Sequence, residues 1–144
     1  MKWALEVVPV PVADVERAKR FYAEVLGFGL DHDTTTPDGE RLVQLTPSGS
    51  GCSVVIGTIS AAGGRTPMAP GSLQGLQLVV ADLHAAREHL VGRGAQVSGI
   101  QVYDGGGLRP YRVGDALDNV GFLTFGDPDG NGWVVQQISA RGGP

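Results

Sequence analysis

The chain has 144 residues, of which 42% are hydrophobic and 18% charged, with a formal net charge of −4 and one cysteine. A globular chain of this size buries roughly 70% of its unfolded surface without help from a metal or a disulfide. The composition excludes an internal disulfide and lacks the basic stripe that nucleic-acid binding needs. It also holds no apolar run near the roughly 18 residues of a membrane span. The lone Cys52 and the absence of a signal-peptide pattern at the N-terminus point to a reducing, cytoplasmic setting.

In chain order, residues 3–12 read as a strand that runs into Asp14, an N-cap candidate whose carboxylate can accept the orphan N–H groups of a first helical turn. Val15, Ala18, Phe21, Tyr22 and Val25 then recur at helical spacing, and Gly27 sits where a left-handed C-cap belongs. Three strands follow, over 29–35, 41–46 and 52–58, with Pro37-Asp38-Gly39 and Pro47-Ser48-Gly49 as turns. A Gly/Pro/Ala-rich stretch over 59–72 reads as a linker.

The same order then repeats. Val12-Ala13-Asp14 recurs letter for letter as Val80-Ala81-Asp82, a shift of 68 residues. A strand over 76–80 leads into Asp82, Leu83, Ala86 and Leu90 recur at helical spacing, and Gly94 ends the pattern. Strands over 96–103, 121–125 and 133–139 complete the half. The expectation is one α+β domain over 1–144, with tandem β-α-β-β-β halves over 1–58 and 73–144 joined by 59–72. A long loop over 104–119, with Gly105-Gly106-Gly107, Arg109, Tyr111 and Arg112, reads either as a lid or as a plain surface loop.

These features, with the helix segment VERAKRFYAEVLGF after Asp14 and the closing DPDGNGW turn, resemble the vicinal oxygen chelate superfamily over nearly the whole chain. That group includes glyoxalase I, extradiol dioxygenases, fosfomycin-resistance enzymes and bleomycin-resistance proteins. The resemblance implies two curved mixed half-sheets around a cleft, and a homodimer. The open edges of two half-sheets give a physical reason to pair. In metal-dependent members, His and Glu side chains from the strands converge on one divalent ion.

Transferred residue by residue, the resemblance places those ligands at Val7, seven positions before Asp14, at Gly75, seven before Asp82, and at Val134, seven after Asp127. The remaining ligand falls in the fourth strand, yet the chain has no Asp, Glu or His between Glu40 and Asp82. No position has a donor, so no metal and no cofactor are expected.

Other chemistry is sparse. His32 lies between Asp31 and Asp33, and strand alternation predicts that neither acid shares its face. His84 and His89 fall on the solvated side of the second helix, and Cys52 has no identifiable partner base. Asp127-x-Asp129-Gly130-Asn131 has the opening of a calcium loop but lacks the later bidentate Glu, so its acids read as structural.

If Val7, Gly75 and Val134 face inward, alternation brings Leu5, Pro9, Gln77, Val79 and Gln136 with them. Tyr103, Tyr111, Trp3 and Trp133 are further aromatic candidates. An aliphatic lining with Gln77 and Gln136 as neutral hydrogen-bonding points suits an apolar or aromatic ligand. The reading is a metal-free protein that sequesters such a small molecule. One alternative is a metal-independent enzyme using His32, Tyr103, Tyr111 or Asp104 as acid or base, and another is an interaction module with no ligand.

Overall fold

The computed structural model describes residues 1–57 and 68–141. Thr58 and residues 59–67 of the expected linker lie outside them. Contacts divide the chain into two compact units, one of Met1–Leu73 with Asp127–Asn131, the other of Gln74–Gly126 with Gly132–Pro144.

The first unit runs β1 (Val7–Pro9), α1 (Val15–Arg20), a π-helical turn (Phe21–Val25), β2 (Gly29–Thr35), β3 (Arg41–Thr46) and β4 (Ser53–Gly57). Its sheet has the order β1-β4-β3-β2, with β1 parallel to β4 and the other pairs antiparallel. The first strand is only 3 residues long, shorter than 3–12. Pro9 and Pro11 have no N–H to extend the ladder. Asp14 caps α1, its Oδ1 accepting the Arg17 amide at 3.1 Å. Ala18, Phe21 and Tyr22 form a buried core with Val10, Val43, Leu45, Val54 and Ile56. On the helix side of β2, Asp33 takes Arg41 and Lys19. The Arg41 guanidinium, and Lys19 after it, hold its carboxyl well below the usual carboxylate range.

The second unit runs β5 (Gln74–Val80), α2 (Leu83–Gly92), β6 (Gln101–Tyr103), β7 (Leu108–Pro110), β8 (Gly121–Gly126) and β9 (Gly132–Gln137). The sheet order is β5-β9-β8-β6-β7, with β5 parallel to β9 and the rest antiparallel. Asp82 caps α2 through the Ala85 amide at 3.0 Å, and Gln137 Oε1 accepts the Leu83 amide at 2.9 Å. Leu83 and Leu90 of α2 share a buried core with Leu123, Phe125, Trp133 and Val135. Trp133 is therefore core, stacked on Phe125 with ring centroids 6.1 Å apart, and not an aromatic wall for a ligand.

In the second unit, two further expected elements differ. The strand over 96–103 reduces to a bridge from Val97 to Phe125 followed by β6. The Ser98 hydroxyl interrupts the ladder by accepting the Thr124 amide at 2.9 Å, a side chain standing in for backbone. The stretch 104–119 is no plain loop, because β7 pairs with β6 across the Asp104–Gly107 turn. Gly105 and Gly107 supply its positive φ values, 91° and 128°.

The closing turn between β8 and β9 folds with the first unit. Asp127 is buried, and its carboxylate accepts from Tyr22 Oη at 2.8 Å, Asn131 Nδ2 at 2.7 Å, and the amides of Asp129 and Asn131 at 2.9 Å each. Asn131 Nδ2 also donates to Pro11 O at 2.8 Å, and its Oδ1 accepts the Leu73 amide at 3.1 Å. Asp129 accepts the Ala13 amide and Arg17 Nη2. A Cβ on Gly71, whose φ is +81°, would run into the Asp129 carbonyl. The acids of the turn thus bind Ala13, Arg17 and Tyr22, within the first unit.

Candidate functional site

Each sheet has one face covered by its own helix. Register fixes what lies on the other. In the second unit, Val79 pairs with Gln136, Gln136 with Phe122, Phe122 with Gln101 and Gln101 with Pro110. A second row joins Gln77, Val134 and Thr124. Direct cross-strand partners share a face, so these rows form one surface, opposite the buried Leu123, Phe125 and Val135. Tyr103, 50% exposed, lies on it by alternation from Gln101. Among the described residues, no charged side chain stands in these rows.

Four of the sequence candidates, Gln77, Val79, Val134 and Gln136, are therefore brought together. Their two amides are bonded: Gln77 Nε2 donates to Gln136 Oε1 at 2.5 Å, and Gln136 Nε2 donates to the Asn119 carbonyl at 2.9 Å. Gly75 is different. The β5 register shifts between Gln74 and Leu76, which makes Gly75 a bulge with φ of 90°. Phe122, half-buried at the middle of the face, is absent from the sequence candidates. The alternation of Gly121-Phe122-Leu123-Thr124-Phe125, with Leu123 and Phe125 buried, carries the signal that places it there.

Tyr111 is separated from this face. Its ring packs edge-on against His84 of α2 at 5.0 Å, on the helix-covered side. Asp104 sits in the β6–β7 turn, bonded to Arg109 Nε at 2.8 Å and to the Gly106 amide. The Arg109 guanidinium first, and that amide second, keep its carboxyl below the ordinary value, which makes it a poor base at neutral pH. Arg109 also forks onto Asp115 through Nη1 at 2.8 Å and Nη2 at 3.0 Å.

This fork gives a pH prediction. Arg109 and the Arg112 amide lower the Asp115 pKa to about 2. Because the folded value lies below the unfolded one of about 3.9, the stabilisation is complete above that pH and is lost as pH falls through about 2. Amide resonances of residues 108–115 should hold steady from neutral pH down to about 4 and change below it. Changes confined to the range above pH 5 would contradict the fork as the fastening of this segment.

In the first unit, the face away from α1 carries Pro9, Val55, Gln44 and His32 in one row, with Val7 beside Ser53. His32 is exposed on β2 and has no hydrogen bond among the described residues. Asp31 does not follow the strand alternation that was expected to turn it away from His32. A bulge lies between Leu30 and His32, and Asp31 bonds the Thr46 hydroxyl, which itself meets Ser53 Oγ at 2.6 Å. Asp31 therefore reaches the same face as His32. Asp33 points to the other. Trp3 is 87% exposed.

The metal implied by the resemblance does not fit these residues. Val7 and Val134 offer methyl groups, Gly75 offers no side chain, and β4 contributes no acid or imidazole. Among the described residues, no three His, Cys, Asp or Glu side chains gather as a metal-binding group. No helix of the described residues is long and apolar enough to cross a membrane.

Two β-α-β-β-β-type units with mixed sheets of 4 and 5 strands define an α+β fold of paired repeats. Residues 4–135 match the model of the Glyoxalase/Bleomycin resistance protein/Dioxygenase superfamily, and the chain belongs to that superfamily. Among solved structures it is similar to TnmS3, an antibiotic binding protein from Streptomyces sp. CB03234, at 33% identity and a TM-score of 0.71, covering 96% of this chain and 98% of that one. A glyoxalase/bleomycin resistance protein from the same Streptomyces strain is also 33% identical, with a TM-score of 0.67 over 93% of this chain and 100% of the other. A superfamily member from Sphaerobacter thermophilus DSM 20745 is 26% identical, with a TM-score of 0.70 over 94% and 98%. No curated protein sequence matches the chain.

Proposed function

We propose that the protein is a metal-free, small-molecule-binding protein of the glyoxalase/bleomycin-resistance type that sequesters a largely apolar or aromatic ligand. The observation that carries this reading is the uncharged face of Gln77, Val79, Val134, Gln136 and Phe122. A flat apolar body gains from covering such a surface, whereas an ionic one loses hydration without a counter-charge. The 33% identity to TnmS3, an antibiotic binding protein, supports the same class of ligand. Val7 and Pro9 are a further proposed apolar contact surface on the first sheet.

Equilibrium dialysis against neutral polycyclic aromatic antibiotics, followed by mass spectrometry, tests the reading. Saturable binding with the ligand mass unchanged is expected. Conversion of the ligand would favour the metal-independent enzyme, for which Tyr103 is the acid–base candidate on the face. Elemental analysis of protein purified without chelator should find no stoichiometric transition metal, and one equivalent of Zn, Ni or Fe would overturn that part.

The functional form is a homodimer in the cytoplasm. The supporting features are the position of β1 at the end of its sheet, the exposed Met1, Trp3 and Leu5 ahead of it, and the unpaired Cys52. Sedimentation equilibrium should give twice the chain mass of 15.0 kDa; a single-chain mass at micromolar concentration would reject the dimer.

A further inference from the structure

The polar points of the uncharged face are oriented by the backbone. Asn119 has a φ of 67°, and it is the one non-glycine residue with positive φ among the described residues. Its amide is held by the Gln137 carbonyl at 2.8 Å, which pins the residue beside β9. Its carbonyl can only accept, so the group of Gln136 that meets it at 2.9 Å must be the amide nitrogen. Gln136 Oε1 is then turned toward Gln77, and an oxygen there requires the Gln77 nitrogen in return. One backbone carbonyl therefore sets the direction of two side-chain amides.

The relay ends at Gln77. Its Oε1 keeps both lone pairs and its Nε2 keeps one proton, none of them bonded among the described residues, and the side chain is exposed. We infer that Gln77 is the specificity-determining residue of the binding face, presenting a fixed acceptor oxygen to a neutral ligand that carries a hydroxyl or N–H donor on an apolar body. Gln136 and Asn119 act as positioning residues through it. The inference rests on the reading of this surface as the binding face. A ligand donor satisfies Oε1 as water does, while its rings cover Phe122 and Val134. A ligand of the same shape without a donor strips water from Oε1 and gives nothing back.

The test compares 2-naphthol with 2-methoxynaphthalene, which share a ring system and differ in the donor. Titrations are followed by 15N–1H correlation spectra of the full chain. In the wild type, both probes should shift β5, β8 and β9 resonances, with 2-naphthol binding about five- to tenfold more tightly. Gln77→Met should bring the two dissociation constants together. Gln136→Met should lower the same ratio and shift the bonded Gln77 side-chain amide proton to the position of a water-exposed amide, a signature that loss of packing alone does not produce. Equal wild-type binding of both probes on these strands would overturn the relay and leave the binding face standing. Absence of shifts on β5, β8 and β9 with either probe would overturn the face, and the relay with it.

Discussion

Replacing the buried Asp127 with alanine should destabilise the protein by about 3–5 kcal/mol. The side chain accepts from Tyr22 Oη at 2.8 Å, Asn131 Nδ2 at 2.7 Å and two turn amides at 2.9 Å. Hydrogen bonds to a charged acceptor contribute roughly 1.5–3 kcal/mol each, and those sharing one carboxylate do not add. Tyr22 is fully buried and Asn131 is 1% exposed, so their donors cannot turn to water once the acceptor is gone. Against a total stability of about 5–15 kcal/mol this is a large fraction, and the melting temperature should fall by about 10–15 °C. Tyr22→Phe removes a single donor and should cost about 1–2 kcal/mol. A thermal melt of Asp127→Ala within about 2 °C of the wild type would show that the turn is peripheral to folding.

Introducing a carboxylate at Val134 should weaken ligand binding by at least about 100-fold while leaving the fold in place. Val134 is half-buried between Gln77 and Thr124 on the uncharged face, and the strand position itself tolerates substitution within about 1 kcal/mol. An apolar ligand laid over Val134→Glu must desolvate a charge that has no counter-ion nearby, which costs several kcal/mol. Affinity for a neutral aromatic ligand should fall at least about 100-fold, whereas Val134→Ala, losing only methyl contacts, should fall roughly tenfold. The new carboxylate should recruit no metal, because a stable site needs three or four donors and this face supplies one. Unimpaired binding to Val134→Glu would place the ligand elsewhere.

The sequence carried the architecture where one residue type has one physical use. Asp14 and Asp82 stand before helical repeats, and both cap. The grouping of Gln77, Val79, Val134 and Gln136 followed from alternation applied to the positions that the family resemblance implies, and β5 and β9 pair without a break over those residues. Alternation failed where a bulge intervened. Asp31 joins the face of His32 through an irregularity that no composition rule marks. Tyr111 was misplaced for a related reason: the segment after Tyr103 reverses into β7, and the hairpin carries Tyr111 to His84.

Long-range pairing was the least legible feature. The turn chemistry of Asp127-Pro128-Asp129-Gly130 was plain, but its partners Tyr22, Pro11 and Ala13 lie more than 100 residues away, and nothing local names them. Asn119 was hidden too, since its contribution is a backbone carbonyl and its side chain gives no sign of it.

The central claim is that a neutral ligand is held by an uncharged protein face without a metal. It is tested most directly by measuring binding of a neutral polycyclic aromatic antibiotic to protein before and after exhaustive treatment with EDTA, with the ligand recovered and weighed by mass spectrometry. The expected result is the same dissociation constant in both samples and an unchanged ligand mass. Binding that disappears on chelation and returns with Zn, Ni or Fe, or a ligand recovered as product, would contradict it.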